Sequence, residues 1–144
     1  MHLSWLGTTT VRLQAKPRDE DVIVVIDPYR PATGSSPRSF TPHIALFTRG
    51  LSDAATLSGN PFILSTPGEC ETHGVLITST YGTSDQHVIF RIDAEGVSVA
   101  HLGLTNKPLS EEQIEVLGEV DVLLLPIGHE QAFDAEEAVK IVNA

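Results

Sequence analysis

The sequence predicts an α+β domain in which β-structure comes first and helix comes last. Three observations carry that expectation. Short apolar runs rich in β-branched residues recur through most of the chain, the mark of buried strands. Glycines stand between neighbouring runs, where tight turns need positive φ. Two helix-capping spacings occur, both after residue 108.

Taken in order, Leu3–Leu6 and Thr10–Leu13 form a first strand pair, with Gly7 supplying the turn. Val22–Asp27 (VIVVID), Ile44–Thr48 (IALFT), Phe62–Ser65 and Val122–Leu125 read as buried strands. Arg30–Pro42 holds three prolines, a glycine and three serines and reads as an extended loop. Val75–Ser79 alternates as a strand should. His87–Ile92 and Val97–Ala100 flank Asp93-Ala94-Glu95-Gly96, a hairpin signal. Ser110 with Gln113 three residues on starts a helix that places Ile114 and Leu117 on one face and stops at Gly118. Asp134 with Glu137 repeats the device before Ala138, Ile141 and Val142.

A chain of 144 residues fits one domain, spanning 1–144. With 41% apolar and 19% charged residues it can bury a core, so wholesale disorder is excluded. Its net charge of −10 opposes a phosphate backbone and argues against nucleic-acid binding. The charge is uneven: residues 1–50 carry six bases and four acids, whereas residues 108–144 carry one and nine. Glu111, Glu112, Glu136 and Glu137 fall in the first turns of the two expected helices, where the helix dipole favours them. The C-terminal acidity therefore has a structural origin. The first residues lack the basic and long apolar segments of a signal peptide. The longest apolar runs, Val22–Ile26 and Val122–Pro126, are far below the ~20 residues a membrane span needs. A lone cysteine, Cys70, cannot close an intrachain disulfide, and the expectation is a soluble cytoplasmic protein.

Polar groups at strand ends are where sheet proteins place their sites. Four segments qualify: Ile26-Asp27-Pro28-Tyr29, Leu46 to Ala54 (LFTRGLSDA), Thr66 to Glu71 (TPGECE), and His101-Leu102-Gly103-Leu104. Each alone also reads as a turn or a cap. With Trp5-Leu6-Gly7-Thr8 before them, and Leu109 to Gln113 (LSEEQ), Val120 to Gly128 (VDVLLLPIG) and Asp134 to Ala138 (DAEEA) after them, their order resembles the metallo-β-lactamase-fold superfamily. The likeness is to its small Zn-dependent hydrolase-like proteins and runs along nearly the whole chain. It implies an αββα sandwich, two sheets face to face with helices outside, here shortened at the C-terminus because the family's closing Pro-x-His strand would follow Ala144.

The departures from that family bear on function. Its main metal motif, His-x-His-x-Asp-His, falls on Arg49, Leu51, Asp53 and Ala54, so one carboxylate survives and three imidazoles are gone. Leu104 stands at the bridging aspartate, and Thr8 at the histidine of the first turn. Zinc needs several N and O donors converging at ~2.0–2.2 Å, and a guanidinium repels a metal and has no lone pair to give. Histidines 2, 43, 73, 87, 101 and 129 show no i,i+2 or i,i+4 pairing. Glu69, Cys70, Glu71 and His73 form the best alternative metal cluster, against which stands a solvated turn with Cys70 as a small core residue. No nucleophile motif or glycine-rich phosphate loop is present.

The resemblance and its departures together imply a metal-free, non-catalytic relative of the Zn-dependent hydrolases that serves as a binding or assembly module, with no cofactor. The alternative is a metal-dependent hydrolase whose zinc site is rearranged or shared between subunits. Asp27, Arg49, Asp53 and His101 are the residues expected at the remnant of the pocket, with Arg49 neutralising Asp53. Val122–Leu125 is apolar throughout and is built to be covered on both faces and paired along its edges. With no following strand, it predicts a homo-oligomer or a protein partner bound through the second sheet.

Overall fold

A computed structural model describes residues 1–31, 37 and 39–144. The first sheet has the order β1-β2-β3-β5-β7. β1 (His2–Gly7), β2 (Thr10–Ala15) and β3 (Val22–Ile26) run antiparallel; β5 (Ile44–Leu46) and β7 (Phe62–Leu64) add parallel to β3. The chain turns from β1 to β2 with positive φ at Gly7 (117°) and Thr8 (48°), after a register shift between Trp5 and Gly7.

The second sheet has the order β12-β11-β10-β9-β8. β8 (Gly68–Thr72), β9 (Val75–Tyr81), β10 (Val88–Ala94) and β11 (Val97–His101) form an antiparallel meander, and β12 (Val122–Leu124) adds parallel to β11 at one edge. The β10–β11 hairpin turns at Glu95 and Gly96, both at positive φ, as the Glu-Gly pair predicts.

Alternation along the strands decides the layers. Val11, Leu13, Val24, Ile44, Leu46, Ile77, Phe90, Ile92 and Val99 point between the sheets and form the main core. Each such side chain contributes about 1.5–3 kcal/mol by leaving water. Ile89, Ala100 and Leu102 point out of the second sheet, against Leu117 of α1 (Glu111–Leu117) and Ala138 of α2 (Ala135–Val142). Both expected capping boxes are formed, by Ser110 with Gln113 and by Asp134 with Glu137. Arg91 ties the end of α1 to the sheet by donating to the Leu117 and Glu119 carbonyls while pairing with Asp93 at 2.8 Å.

The outer face of the first sheet is covered differently. Val25, Phe40 and Ala55 pack there under a two-stranded ribbon of β4 (Ser39–Phe40) and β6 (Thr56–Leu57), so both described helices lie on the second sheet. The sequence signals missed that ribbon, which falls partly in the segment read as loop; residues 32–36 and 38 of it lie outside the described residues. They also missed β8. Its residues were expected as a turn, because exposed Gly68, Glu69 and Glu71 outnumber the half-buried Cys70 and Thr72, of which Cys70 packs on the main core.

Candidate functional site

Three loops meet where the strands of both sheets end: the β1–β2 turn, the segment after β5, and the segment after β11. Asp27 follows β3 and is fully buried. Its backbone takes φ 54°, uncommon for a residue with a side chain. Thr10 Oγ1 donates to its carbonyl at 2.7 Å, and its own N–H donates to Leu46 O at 2.7 Å, so the bend is held on both sides.

The Asp27 carboxylate is fully engaged. Oδ1 accepts from Thr48 N and Oδ2 from Thr48 Oγ1, each at 2.7 Å. Arg49 Nη1 approaches Oδ2 at 3.5 Å and donates to Thr9 Oγ1 at 3.1 Å. The guanidinium lies over the Tyr29 ring, 4.7 Å from its centre, a cation–π contact. Tyr29 OH accepts from Arg49 N at 2.8 Å and donates to Gly50 O at 2.9 Å. Burial, with the Asp27 charge adding to it, pushes the phenol well above its ordinary pKa, so it stays a neutral donor.

His101 completes the group. Its Nδ1 accepts from Gly103 N at 3.0 Å, which puts the ring proton on Nε2, and Nε2 donates to Thr9 O at 2.8 Å. His87, a residue the sequence did not single out for the site, repeats this pattern: Nδ1 accepts from Thr83 N at 3.1 Å and Nε2 donates to Leu102 O at 2.8 Å. Burial lowers the pKa of both rings, outweighing the attraction of Asp27. Gly103 sits between them at φ 66°, where a Cβ would meet His87 Nε2 and Thr48 Oγ1 at 2.8 Å. Above Thr9 and His101 lies a cleft of about 110 Å³ bordered by Trp5, Leu124 and Pro126. Pockets that bury small-molecule ligands usually measure ~300–1,000 Å³.

Of the expected residues, Asp27, Arg49 and His101 come together and Asp53 does not. Asp53 is exposed, and among the described residues its side chain makes no ion pair; Arg49 satisfies Asp27 instead. Leu51 and Ala54 contribute no donor. The alternative cluster also stays apart. Strand alternation sends Glu69 and Glu71 to solvent and Cys70 to the core, where burial raises its thiol pKa, while His73 packs on the His43 ring with centres 5.5 Å apart. Thr9, Tyr29 and Thr48 are the members whose roles the sequence did not show. The one hint was a threonine closing the apolar run IALFT.

Zinc does not fit this donor set. Ligating imidazoles offer one nitrogen lone pair to the metal and donate from the other nitrogen. His87 and His101 each spend that lone pair on a backbone N–H, and the Asp27 oxygens are taken by Thr48 and Arg49. Among the described residues no group of three or more His, Cys, Asp or Glu is placed to hold a metal.

The family model for the beta-lactamase superfamily domain matches residues 2–144. Among solved structures, the chain superposes on a protein of Thermotoga maritima assigned to the Zn-dependent hydrolases of the metallo-β-lactamase superfamily. The TM-score is 0.83 at 25% identity, over 98% of this chain and 69% of that one. A Cronobacter sakazakii metallo-β-lactamase with a HARLDQ motif aligns with a TM-score of 0.45 at 10% identity, over 85% of this chain and 76% of that one. No curated protein matches. With nearly every residue under the family model and both sheets in place, this chain belongs to the metallo-β-lactamase superfamily.

Proposed function

We propose that this protein is a metal-free, non-catalytic member of its superfamily that works as a binding or assembly module in the cytoplasm. One observation carries the reading: an arginine side chain supplies positive charge beside the buried Asp27. A buried carboxylate needs a compensating charge or hydrogen bonds. Arg49 and Thr48 supply both, and the neighbouring imidazoles are spent on backbone groups. The small cleft above them agrees with a pocket that has closed. No described helix is long and apolar enough to cross a membrane.

The test is elemental analysis of the full chain purified without chelator, together with hydrolysis assays on generic phosphodiester, lactam and thioester substrates. The expected result is far less than one transition metal per chain and turnover at background. About one tightly bound metal per chain, with turnover above background, would instead support a hydrolase with a rearranged or intersubunit zinc site.

A further inference from the structure

The tip of the loop between β9 and β10 is held to the rest of the protein through one imidazole. Residues 83–86 are exposed, whereas His87 is buried. Its Nδ1 accepts from Thr83 N, and its Nε2 donates to Leu102 O across the loop's base. Two glycines make room for the ring. A Cβ on Gly82 would collide with Nδ1, and one on Gly103 with Nε2, so the imidazole fills its slot edge to edge. The other bonds of the tip are internal: Gln86 N donates to Ser84 Oγ and His87 N to Ser84 O, each at 3.2 Å. Among the described residues, 83–86 make no further hydrogen bond to the body of the protein.

The base of the loop is anchored separately. Gln113 of α1 donates from Nε2 to the Tyr81 and Gly82 carbonyls, each at 2.8 Å, and Gly82 N donates to His87 O at 2.7 Å. Freeing the tip therefore leaves the hairpin and α1 in place. Thr83 and His87 also wall a cavity of about 240 Å³, bordered on its other sides by Ile89, Thr105, Pro108 and Leu109. We infer that this loop is an acid-opened flap: protonation of His87 at Nδ1 releases residues 83–86 and unroofs the cavity beside α1.

In the closed loop Nδ1 is an acceptor facing an N–H. Once it takes a proton from solvent, two donors face each other and the contact turns repulsive. Thr83 Oγ1, 3.3 Å away, is the nearest acceptor for that proton, and using it leaves the Thr83 N–H without a partner. The slot resists the charge, because burial lowers the pKa of the ring. In the open loop the ring meets water and returns to about 6.5, so the open form gains as pH falls below that value. The groups that face His87 keep this sense. The Leu102 carbonyl and Asp27, after β3, favour the imidazolium, Arg49, after β5, and His101 of β11 oppose it, and burial prevails. Lys107, on the cavity wall, adds to the opposition, while β10 and α1 present the uncharged Ile89 and Gln113. Asp85, on the loop itself, is exposed.

The experiment is amide hydrogen exchange of the full chain, read by NMR between pH 7.5 and 5 and compared at each pH with the rate of an unstructured peptide. Opening coupled to one imidazole should lower the protection of the Thr83 amide by about thirtyfold over that range. The protection should not respond to dilute urea, because the flap exposes little surface, whereas amides of β9 and β10 that open by global unfolding do respond. In His87→Gln the pH dependence of Thr83 should disappear, and in Asp85→Asn it should stay. If His87→Gln does not fold, the wild-type pH and urea dependences still decide. Thr83 protection that is constant with pH overturns the inference. So does protection that falls with pH and urea in step with the strand amides, and so does a pH dependence that survives His87→Gln or vanishes in Asp85→Asn.

Discussion

Arg49 reaches Asp27 and leaves Asp53 alone, although Asp53 lies four residues away and Asp27 twenty-two. Contact with the Tyr29 ring decides this. Tyr29 holds the Arg49 backbone through its hydroxyl and the guanidinium through its face, which turns the side chain inward. The charge then falls on the fully buried acid, where an uncompensated carboxylate costs far more than at the surface.

Substitutions of the two aspartates should therefore diverge. Asp27→Asn keeps shape but replaces one acceptor oxygen with a donor facing Thr48 and Arg49. A loss of about 2–4 kcal/mol is expected. Asp53→Asn should stay within about 0.5 kcal/mol of wild type. Urea unfolding measures both, and equal losses would contradict the assignment of the buried charge.

Arg49→Met keeps much of the packing over Tyr29 and removes the charge. The guanidinium is a third exposed and 3.5 Å from its partner, so solvent screens the pair. The expected loss is about 1–2 kcal/mol. Arg49→Lys should lose less, because the charge remains while the fork to Thr9 and the stacked plane go. Thermal unfolding at low and high salt checks the order.

Acidification should destabilise the fold through His87 and His101. Both pKa values lie below the ordinary 6.5 when folded, because burial disfavours the charged ring. Above pH 6.5 the two rings are neutral in folded and unfolded chains alike. As pH falls from there toward the folded values, the unfolded chain takes up protons the native state refuses, and stability drops. The limiting slope is about 1.4 kcal/mol per pH unit for each ring. Unfolding free energies between pH 7.5 and 5 test this, and His87→Gln should lower the slope.

Gly103→Ala should cost about 2–4 kcal/mol. The residue sits at φ 66°, and its Cβ would press on Thr48 and on the His87 ring, which are both held by hydrogen bonds. Calorimetry of this variant beside Gly96→Ala separates crowding from strain. Gly96 shares the positive φ, at 73°, with nothing within 4 Å.

The elements with periodic or capping signals were legible. VIVVID, the Glu95-Gly96 hairpin and both capping boxes stand where their residues put them, because each signal is local. The apolar runs were read one or two residues too long, whereas Thr10–Leu13 and Val75–Ser79 stopped two residues short: Asp27 and Thr48 leave their strands to face each other, which a β-branched run does not disclose. β8 was hidden because an edge strand with exposed acids has the composition of a turn, and the β4–β6 ribbon because its two-residue strands are too short to show a period. The site was legible only as a set of strand ends. That Asp27, Arg49 and His101 meet while Asp53 turns outward depends on Tyr29 and Thr9, contacts across twenty and forty residues of sequence. No spacing rule reaches that far.

The two hydrogen bonds of His101 bear on any attempt to build a zinc site in this pocket. Restoring histidines at 49, 51 and 54 and an aspartate at 104 would return the family's letters without returning its site. The ring of His101 would still be clasped between Gly103 and Thr9, and Asp27 would still belong to Thr48. A histidine at 49 would take the guanidinium from Asp27, Thr9 and the Tyr29 ring before any coordination shell was complete, so that step lowers stability while adding no affinity. Any route to a zinc site here therefore begins with its costliest change, the one at Arg49.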